Sequence, residues 1–437
     1  MRKFFIISIA MIALIGCEKE PPTEPVLNIP PETHIFVEGV VDTVPARQII
    51  HWWGNDPDGW VVGYNYNWDE GDTVFTTLTC DTFVLRAEDT VNFHILTVWA
   101  KDNEDAIDPT PAKLTIPVRN SPPTVYFKDK SLPKDTTLPV VTFYLEAEDI
   151  DGNESVAGFY YRLDTEMSLS FIPADIPYVT LRDIAPGERT FYAWAVDESN
   201  ALSDSISYTW WVEEIISDIL IVDDEPGAGA GLFYKETMES LGLNYNLWKI
   251  EDALPYSPFD VDITINELGF TTMIWYTGRD ISHLPDAQKP VEKYLDNGKN
   301  LLLVSPSVLN GFYDPEIPSP FPDNYLGVDL ATVVWDKLIP IGSIISRDTL
   351  VTGYPDSLKV SSFISRFDAF ETTEEAEAIY RLPETGWWEG RPCVAVRHPA
   401  QNPNRIFFSI PIDKLNGLGN GEDVVRYVLR EEFGVGQ

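Results

Sequence analysis

The sequence predicts a multidomain protein in which two all-β sandwiches precede an α/β domain with a mainly parallel sheet. Short runs of β-branched and aromatic residues, separated by Gly, Pro and Asp, fill residues 31–214. From residue 215 onward, apolar runs alternate with stretches of helical periodicity, which indicates βαβ units. These two patterns divide the chain before any motif is considered.

The first seventeen residues have the pattern of an export signal. Arg2 and Lys3 precede the apolar run "FFIISIAMIALIG", which is too short for a membrane-spanning helix, and Cys17 follows at once. The stretch "LIGC" resembles the lipobox of bacterial lipoproteins. That resemblance implies that Cys17 is acylated and becomes the mature N-terminus, and Glu18 beside it implies sorting to the outer membrane. A plain signal peptide with an incidental cysteine is the alternative, and the resemblance leaves open a periplasmic or a surface face.

The composition limits the partners of the exported chain. Residues 18–30, "EKEPPTEPVLNIP", are charged and proline-rich, which predicts a semi-extended linker. The formal net charge of −38 repels nucleic-acid phosphates and anionic lipid headgroups. We therefore expect no nucleic-acid partner, and a membrane contact through N-terminal acyl chains only.

Residues 31–119 and 120–214 repeat one another. The stretch "NDPDGWVVGYNYNWD" matches "EDIDGNESVAGFYYRLD", and "LTVWAKD" matches "FYAWAVD". Trp99 and Trp194 in the second pair lie 95 residues apart, which is the size of one β-sandwich. The Asp-Pro-Asp-Gly turn and the "WA-x-D" strand end resemble fibronectin type III and Ig-like modules, and imply two such modules in tandem.

Residues 215–437 form the predicted α/β domain. The strand "DILIVDD" is followed by a helix that ends at Gly242, and the strand "TTMIWYTG" by a helix that ends before Gly298. The domain resembles class I glutamine amidotransferase-like (flavodoxin-like) domains in four stretches: "ILIVDD", "MIWYTG", "VEKYLDNGKNLLLVSPS" and "NYLGV". Active members carry a nucleophilic cysteine in a sharp turn after a strand. The matching stretch "LLLVSPSVLNG" holds Ser305 and Ser307 but no cysteine, so the resemblance implies a domain without that nucleophile.

The stretch "DILIVDDEPGAGAG" has the outward form of a phosphate site. It resembles the start of response-regulator receiver domains, but the third strand ends "IWYTG", without the carboxylate that accepts phosphate there. Its glycines are spaced G-x-G-x-G and no GK[ST] follows, while Asp223 and Asp224 would repel a phosphate. We interpret it as a strand-to-helix turn, with a ligand loop as the alternative.

The carboxyl ends of the parallel strands are the predicted binding crevice of this domain. The side chains expected there are Asp223, Asp224, Tyr276, Thr277, Arg279 and Ser305. An exported serine hydrolase that uses Ser305 or Ser307 with a distant histidine is an alternative function.

The remaining candidates for chemistry are few. Cys80 and Cys393 fall in different predicted domains, and no disulfide or thiolate metal site is indicated. Cys393 and His398 lie on opposite faces of one strand and cannot form a dyad, so Cys393 is predicted to be buried. Two Asp-x-Asp-Gly stretches are predicted turns, with calcium sites as the alternative and as the only cofactor considered: Asp56 with Asp58, and Asp149 with Asp151.

Three adjacent tryptophan pairs should each divide between core and surface, because neighbours on a strand face opposite ways. The pairs are Trp52-Trp53, Trp210-Trp211 and Trp387-Trp388. The sequence as a whole predicts a lipid-anchored cell-envelope protein with a non-catalytic binding or assembly role, for an envelope protein or glycan that it does not name. A carbohydrate-binding surface lipoprotein is a further alternative, and its mark would be a row of exposed Trp and Tyr across a β-sheet face.

Overall fold

The computed structural model describes residues 27–36, 43–85, 91–224, 229–278 and 282–436. The predicted signal sequence, Cys17 and Arg279 lie outside these ranges. The chain forms two compact units, one of residues up to Pro122 with Asp149–Ser155, the other of Pro123–Glu148 with Val156–Gln437. In the described ranges no helix has both the length and the apolar character needed to cross a membrane.

The first module is a two-layer β-sandwich. Its described strands are β1 (Glu32–Phe36), β2 (Arg47–Asn55), β3 (Val61–Trp68), β4 (Val74–Thr76), β5 (Cys80–Val84), β6 (Asn92–Asp102) and β7 (Ala112–Val118). One sheet has the order β1-β2-β5 and the other β4-β3-β6-β7. Alternate residues such as Trp52, Leu96 and Val98 point between the sheets and form the core.

The second module repeats this architecture. Its strands are β8 (Thr124–Phe127), β9 (Thr136–Thr137), β10 (Val140–Glu148), β11 (Val156–Leu163), β12 (Ser170–Pro173), β13 (Tyr178–Arg182), β14 (Gly187–Asp197) and β15 (Ile206–Val212). The sheets have the orders β13-β10-β8 and β12-β11-β14-β15-β9. Its core is centred on the stacked rings of Phe143 and Phe191, 4.2 Å apart.

Matching turn residues show that the two sandwiches are one repeated design. Asp69 and Asp164 both have a φ of 50°, directly after equivalent strands. Asp69 accepts a hydrogen bond of 2.7 Å from the backbone N–H of Ile95, and Asp164 accepts one of 2.8 Å from that of Thr190. Asparagine and aspartate tolerate this left-handed conformation better than other non-glycine residues. The prediction of tandem β-sandwiches is confirmed.

The α/β domain combines eleven strands with four α-helices among its described residues. The strands are β16 (Ile219–Asp223), β17 (Asn246–Lys249), β18 (Thr272–Tyr276), β19 (Asn300–Val304), β20 (Val328–Ile339), β21 (Ile344–Arg347), β22 (Ser357–Lys359), β23 (Ile364–Thr372), β24 (Glu377–Arg381), β25 (Cys393–His398) and β26 (Arg405–Phe408). The helices are α1 (Ala230–Leu241), α2 (Pro258–Asn266), α3 (Gln288–Asp296) and α4 (Gly421–Tyr427). As predicted, Gly242 ends α1, with a φ of 67°.

The sheet of this domain is mixed, which corrects the prediction of a mainly parallel sheet. Strands β17-β16-β18-β19-β26 are parallel neighbours in that order. The sheet then continues through β25, β24, β21 and β22 by antiparallel pairing. Parallel neighbours need a crossover connection, usually a helix, whereas antiparallel strands are joined by short turns. No helix separates the strands from β20 to β26, so this part of the chain pairs antiparallel.

Helices cover both faces of the sheet. Helices α1 and α4 contribute to one apolar core, and α2 and α3 to the core on the opposite face. Helix α2 also contacts the second sandwich, where the Asp260 carboxylate accepts hydrogen bonds from the Thr142 backbone N–H (3.0 Å) and hydroxyl (2.6 Å). Burial raises the pKa of Asp260, although these two hydrogen bonds oppose the shift. The second sandwich and the α/β domain therefore share a buried polar contact.

Candidate functional site

The predicted crevice residues do meet at the carboxyl edge of the parallel strands. In the strand register, Asp223 lies opposite Tyr276, and Tyr276 lies opposite Val304, directly before Ser305. Helix α1 leads from β16 to β17 on one side, whereas α3 leads from β18 to β19 on the other. A ligand crevice is expected where the chain reverses direction in this way. Arg279, the remaining predicted member, lies outside the described residues.

The carboxylate of Asp224 is occupied by donors from the protein itself. Its Oδ2 accepts hydrogen bonds from Trp275 Nε1 (2.9 Å), the Ser282 hydroxyl (2.9 Å) and the His283 backbone N–H (2.8 Å). Its Oδ1 lies 2.6 Å from His283 Nδ1. The side chain has no exposed surface. Asp224 therefore joins the end of β16 to β18 and to the segment that follows it, and its oxygens are not directed at solvent.

The carboxylate of Asp223 is also engaged inside the domain. The Tyr276 hydroxyl donates to it, and the Tyr276 ring stacks on Tyr234 of α1 at 4.3 Å and 13°. Burial, followed by the nearby Asp223 charge, raises the pKa of Tyr276 well above its ordinary value. A Cβ at Gly231 would lie 3.1 Å from the Tyr276 hydroxyl. The glycine in this turn therefore permits close packing of helix and sheet.

The hydroxyls of Thr277 and Ser305 bond to each other rather than to a base. Their oxygens are 2.5 Å apart, and the two residues are 1% and 0% exposed. Ser307, the other proposed nucleophile, has an ordinary negative φ of −125°. A nucleophile elbow instead exposes its serine at a strained turn. The geometry at Ser305 does not fit the hydrolase alternative.

The histidines of the domain hold other positions. His283 contacts Asp224 through Nδ1, and its Nε2 lies 3.2 Å from the carbonyl of Asp252. His398 is buried, with Nε2 3.1 Å from the carbonyl of Asn324. Burial, followed by the charge of Arg405, lowers the pKa of His398. In the described contacts, both imidazoles serve to tie loops to the sheet.

A buried acid beside this edge was not anticipated from the sequence. Asp368 in β23 is 1% exposed, and its backbone N–H donates to the carbonyl of Pro306. Its carboxylate accepts from the backbone N–H of Asp336 (3.0 Å) and lies 3.5 Å from Asn310 Nδ2. Burial, followed by the charge of Asp336, raises the pKa of Asp368 to about 7. The signal available in the sequence was one acid inside the apolar run "FDAF".

Asp368 should make the stability of the protein depend on pH. A carboxyl whose folded pKa is raised stabilises the protein below its unfolded value, and this contribution is lost as the pH rises through the folded value. We expect the free energy of unfolding to fall between pH 4 and about pH 7. Asp368→Asn should flatten this fall and be more stable than the wild type at pH 8 by about 2–4 kcal/mol.

Urea unfolding at a series of pH values measures this effect. Glu374→Gln, a matched change at an exposed position, should follow the wild-type profile. An Asp368→Asn profile parallel to the wild type would contradict the prediction.

The two cysteines in the described ranges are free thiols in different settings. Cys80 is exposed and Cys393 is buried, so the structure contains no Cys80–Cys393 disulfide. The Cys393 thiol donates to the carbonyl of Ala395 at 3.0 Å, and burial raises its pKa to about 12. A thiol with so high a pKa is a poor nucleophile, in agreement with the prediction that Cys393 is an apolar core residue.

The Asp-x-Asp-Gly stretches act as turns in the described contacts. Asp151 accepts from the backbone N–H groups of Ala46 and Ser121, and Asp149 accepts from the Asp151 N–H (2.8 Å). In the earlier stretch, Asp58 accepts from the Ile29 N–H at 3.1 Å, and its own N–H lies 3.4 Å from Asp56 Oδ1. Across the described ranges no group of three or more metal-ligating side chains is positioned to hold a metal ion. Calcium binding at these residues stays the untested alternative to a plain turn.

The tryptophan pairs divide as predicted. One member of each pair lies in a core and the other is about half exposed. The exposed fractions are 1% and 48% for Trp52 and Trp53, 2% and 49% for Trp210 and Trp211, and 9% and 59% for Trp388 and Trp387.

A row of aromatic side chains crosses the outer face of the second sandwich. Phe171 pairs in register with Tyr160, and Tyr160 pairs with Trp194, so the three rings lie side by side on β12, β11 and β14. Arg162 and Tyr192 form the next row, and none of these five side chains belongs to the sandwich core. We call these five residues the aromatic–arginine face. Phe171 is exposed, whereas Tyr160 and Trp194 are half-buried, so the row fits the predicted row of exposed Trp and Tyr only in part.

A groove of roughly 630 Å³ lies elsewhere in the α/β domain, between residues 353–357 and the segment from Asn420 to Glu431. Its lining includes none of the predicted site residues. Arg430 at its rim donates to the carbonyls of Leu241, Val435 and Gly436 and so closes the C-terminal turn. The groove and the predicted crevice are therefore different places.

No protein-family model and no curated protein matches the chain. Solved structures resemble parts of it. The fibronectin(III)-like modules of CbhA from Clostridium thermocellum match 42% of this chain and 94% of their own, at 15% identity and a TM-score of 0.20. A two-domain fibronectin type III segment of chicken tenascin matches 41% and 97%, at 13% identity and a TM-score of 0.22. The PKD1 domain of the Vibrio cholerae metalloprotease PrtV matches 21% and 99%, at 19% identity and a TM-score of 0.16. The sandwich architecture of this chain rests on its own strand pairing.

Proposed function

We propose that this protein is a lipid-anchored component of the bacterial cell envelope, held at the outer membrane, with a non-catalytic binding or assembly role. The non-catalytic role is supported by the hydrogen bonds of the Asp224 carboxylate and the Ser305 hydroxyl, because both groups bond to other residues of the domain. A reactive site needs such groups free to meet a substrate. Here they hold strands and loops together, at the edge where a ligand would enter.

The proposal includes that the two sandwiches are fibronectin III-like or Ig-like modules. Modules of this kind would hold the C-terminal domain away from the membrane. The parallel strand order β17-β16-β18-β19-β26 supports a flavodoxin-like, amidotransferase-like origin for that domain, since the same 2-1-3-4-5 order defines flavodoxin-like sheets. Its family nucleophile is replaced by "SPS".

Lipid attachment at Cys17 has a direct test. In cells given an alkyne-tagged palmitate, the wild-type protein should carry the label and sediment with the outer membrane. Cys17→Ser should lose the label and appear in the soluble fraction, because one apolar signal run without acyl chains gives no stable anchor. Cys80→Ser, at an exposed thiol, is the matched control and should remain labelled. An unlabelled wild-type protein would refute the anchor.

The hydrolase alternative makes the opposite prediction for Ser305. We expect no ester or amide hydrolysis above background from the purified full chain, and no difference with Ser305→Ala or Ser307→Ala. Removal of a triad serine from a true hydrolase lowers turnover by several orders of magnitude. Turnover that disappears in Ser305→Ala while folding is retained would overturn the non-catalytic role.

Carbohydrate binding is the second candidate function. It is favoured by the aligned row of Phe171, Tyr160 and Trp194 outside the sandwich core, because planar apolar rings offer a surface on which sugar rings can stack. This function needs no catalytic group and is compatible with an envelope anchor.

A further inference from the structure

The aromatic–arginine face contains a cation without a protein partner. Arg162 forms no hydrogen bond or ion pair with the described residues, and its Nε is buried without a partner. Arg189, which lies on the neighbouring strand, instead pairs with Asp164 at 2.9 Å. Arg162 therefore has no acidic partner among the described residues, in a chain with a net charge of −38.

Two rings hold this guanidinium in place. The Arg162 Cζ lies 4.9 Å from the centroid of the Tyr192 ring and 5.7 Å from that of Trp194. The two rings are nearly parallel, at 22°, because they project from alternate positions of β14. Cation–π contact fixes the arginine without using its N–H donors. The Nη groups of Arg162 have no partner among the described residues and therefore remain available to a planar anion.

The first module supplies an internal comparison. Asn67 of the first module corresponds to Arg162 of the second, and Thr97 corresponds to Tyr192. Within each module the two residues lie opposite one another in the strand register. Trp99 and Trp194 occupy the same position in both. The repeat is thus maintained in the tryptophan, whereas the cation and the tyrosine that accompanies it occur in the second module alone. This difference is expected of a ligand site rather than of a fold requirement.

We propose that the aromatic–arginine face binds an acidic polysaccharide, with the sugar rings against Tyr192 and Trp194 and a uronate carboxylate on Arg162. This inference rests on the carbohydrate-binding function proposed above and specifies its ligand class. A carboxylate matches the two parallel N–H groups of a guanidinium, and the flanking rings match the apolar faces of pyranoses. At physiological salt the screening length is about 8 Å, so this local cation outweighs the distant acidic surface.

Binding of polygalacturonate to the full chain in detergent tests the proposal, by calorimetry at 0.15 M salt. The methyl-esterified polymer, which has the same backbone without charge, is the matched ligand. We expect saturable binding to the acidic polymer, much weaker binding to the ester, and a loss of about tenfold or more in Arg162→Gln and in Trp194→Ala. Arg162→Lys should restore only part of the affinity, since lysine cannot form the bidentate contact. Trp99→Ala, the equivalent change in the first module, should bind as the wild type does.

Two other outcomes distinguish a wrong ligand class from a wrong function, that is, the acidic polysaccharide from carbohydrate binding in general. Equal binding of both polymers, unchanged in Arg162→Gln but lost in Trp194→Ala, would overturn the acidic ligand and leave carbohydrate binding in place. No binding of either polymer, or of neutral glucan, xylan and galactan, would overturn both. Thermal unfolding of each variant separates a lost contact from a lost fold.

Discussion

Replacing Asp224 by alanine is expected to destabilise the α/β domain by about 3–5 kcal/mol. The carboxylate accepts three hydrogen bonds from N–H and O–H groups and contacts the His283 imidazole, and its side chain has no exposed surface. Alanine would leave the Trp275 indole, the Ser282 hydroxyl and a backbone N–H buried without an acceptor. Urea unfolding, followed by both tryptophan fluorescence and circular dichroism, measures the change.

A surface carboxylate provides the comparison for Asp224. Asp262 pairs with Lys293 at 2.8 Å, but both side chains are partly exposed. Asp262→Ala should therefore change the free energy of unfolding by no more than about 1 kcal/mol. If Asp224→Ala unfolded at the same urea concentration as Asp262→Ala, its hydrogen bonds would not be structural. Asp224 would then again be a candidate for ligand binding.

Gly158→Ala is expected to destabilise the second sandwich by about 3 kcal/mol. An added Cβ would lie 2.3 Å from the backbone carbonyl oxygen of Ile172 and 2.7 Å from the Phe171 ring. The carbonyl belongs to β12, which pairs with β11 at this point, so it cannot move without breaking the strand pairing. The added Cβ would also push the Phe171 ring aside, which should disturb the aromatic–arginine face. Chemical unfolding reports the first effect and polygalacturonate binding the second.

The repeat allows the same experiment in the first module. A Cβ at Gly63 would lie 2.4 Å from the Phe75 ring and 2.8 Å from the carbonyl of Thr76, so Gly63→Ala should also be strongly destabilising. Gly386 has an ordinary φ and no atom within 4 Å of an added Cβ, so Gly386→Ala should be neutral. A Gly158→Ala protein as stable as Gly386→Ala would show that the strands can separate at little energetic expense.

Much of the candidate site followed from local patterns in the chain. The crevice residues Asp223, Tyr276 and Ser305 were predicted together because parallel strands end at one edge of a sheet. The pairs Trp52-Trp53 and Trp210-Trp211 divided correctly because a strand alternates its side chains between two faces, whereas Trp387-Trp388 lies in the loop between β24 and β25. Neither inference required knowledge of which distant strands pair.

The misassigned parts have a common cause. The antiparallel half of the sheet, from β20 to β25, lacks helices between its strands, and three of its pairs, β20–β23, β21–β24 and β23–β25, join strands that are not consecutive in the chain. Asp368 was missed because its carboxylate contacts Asp336 and Asn310, which are 32 and 58 residues away in the chain. The periodicity of a sequence predicts which face of an element is buried, but it does not predict contacts between residues far apart in the chain.

The sequence by itself determined the 95-residue repeat and the change from sandwich to α/β structure, since both can be read from composition, spacing and periodicity. Only the tertiary structure decided what the polar residues do. It joined Asp224 to donors more than fifty residues away, and it set Arg162 against two rings from another strand without a carboxylate to pair with. The role of a charged side chain depends on which groups share its immediate surroundings, and those groups are brought together by folding.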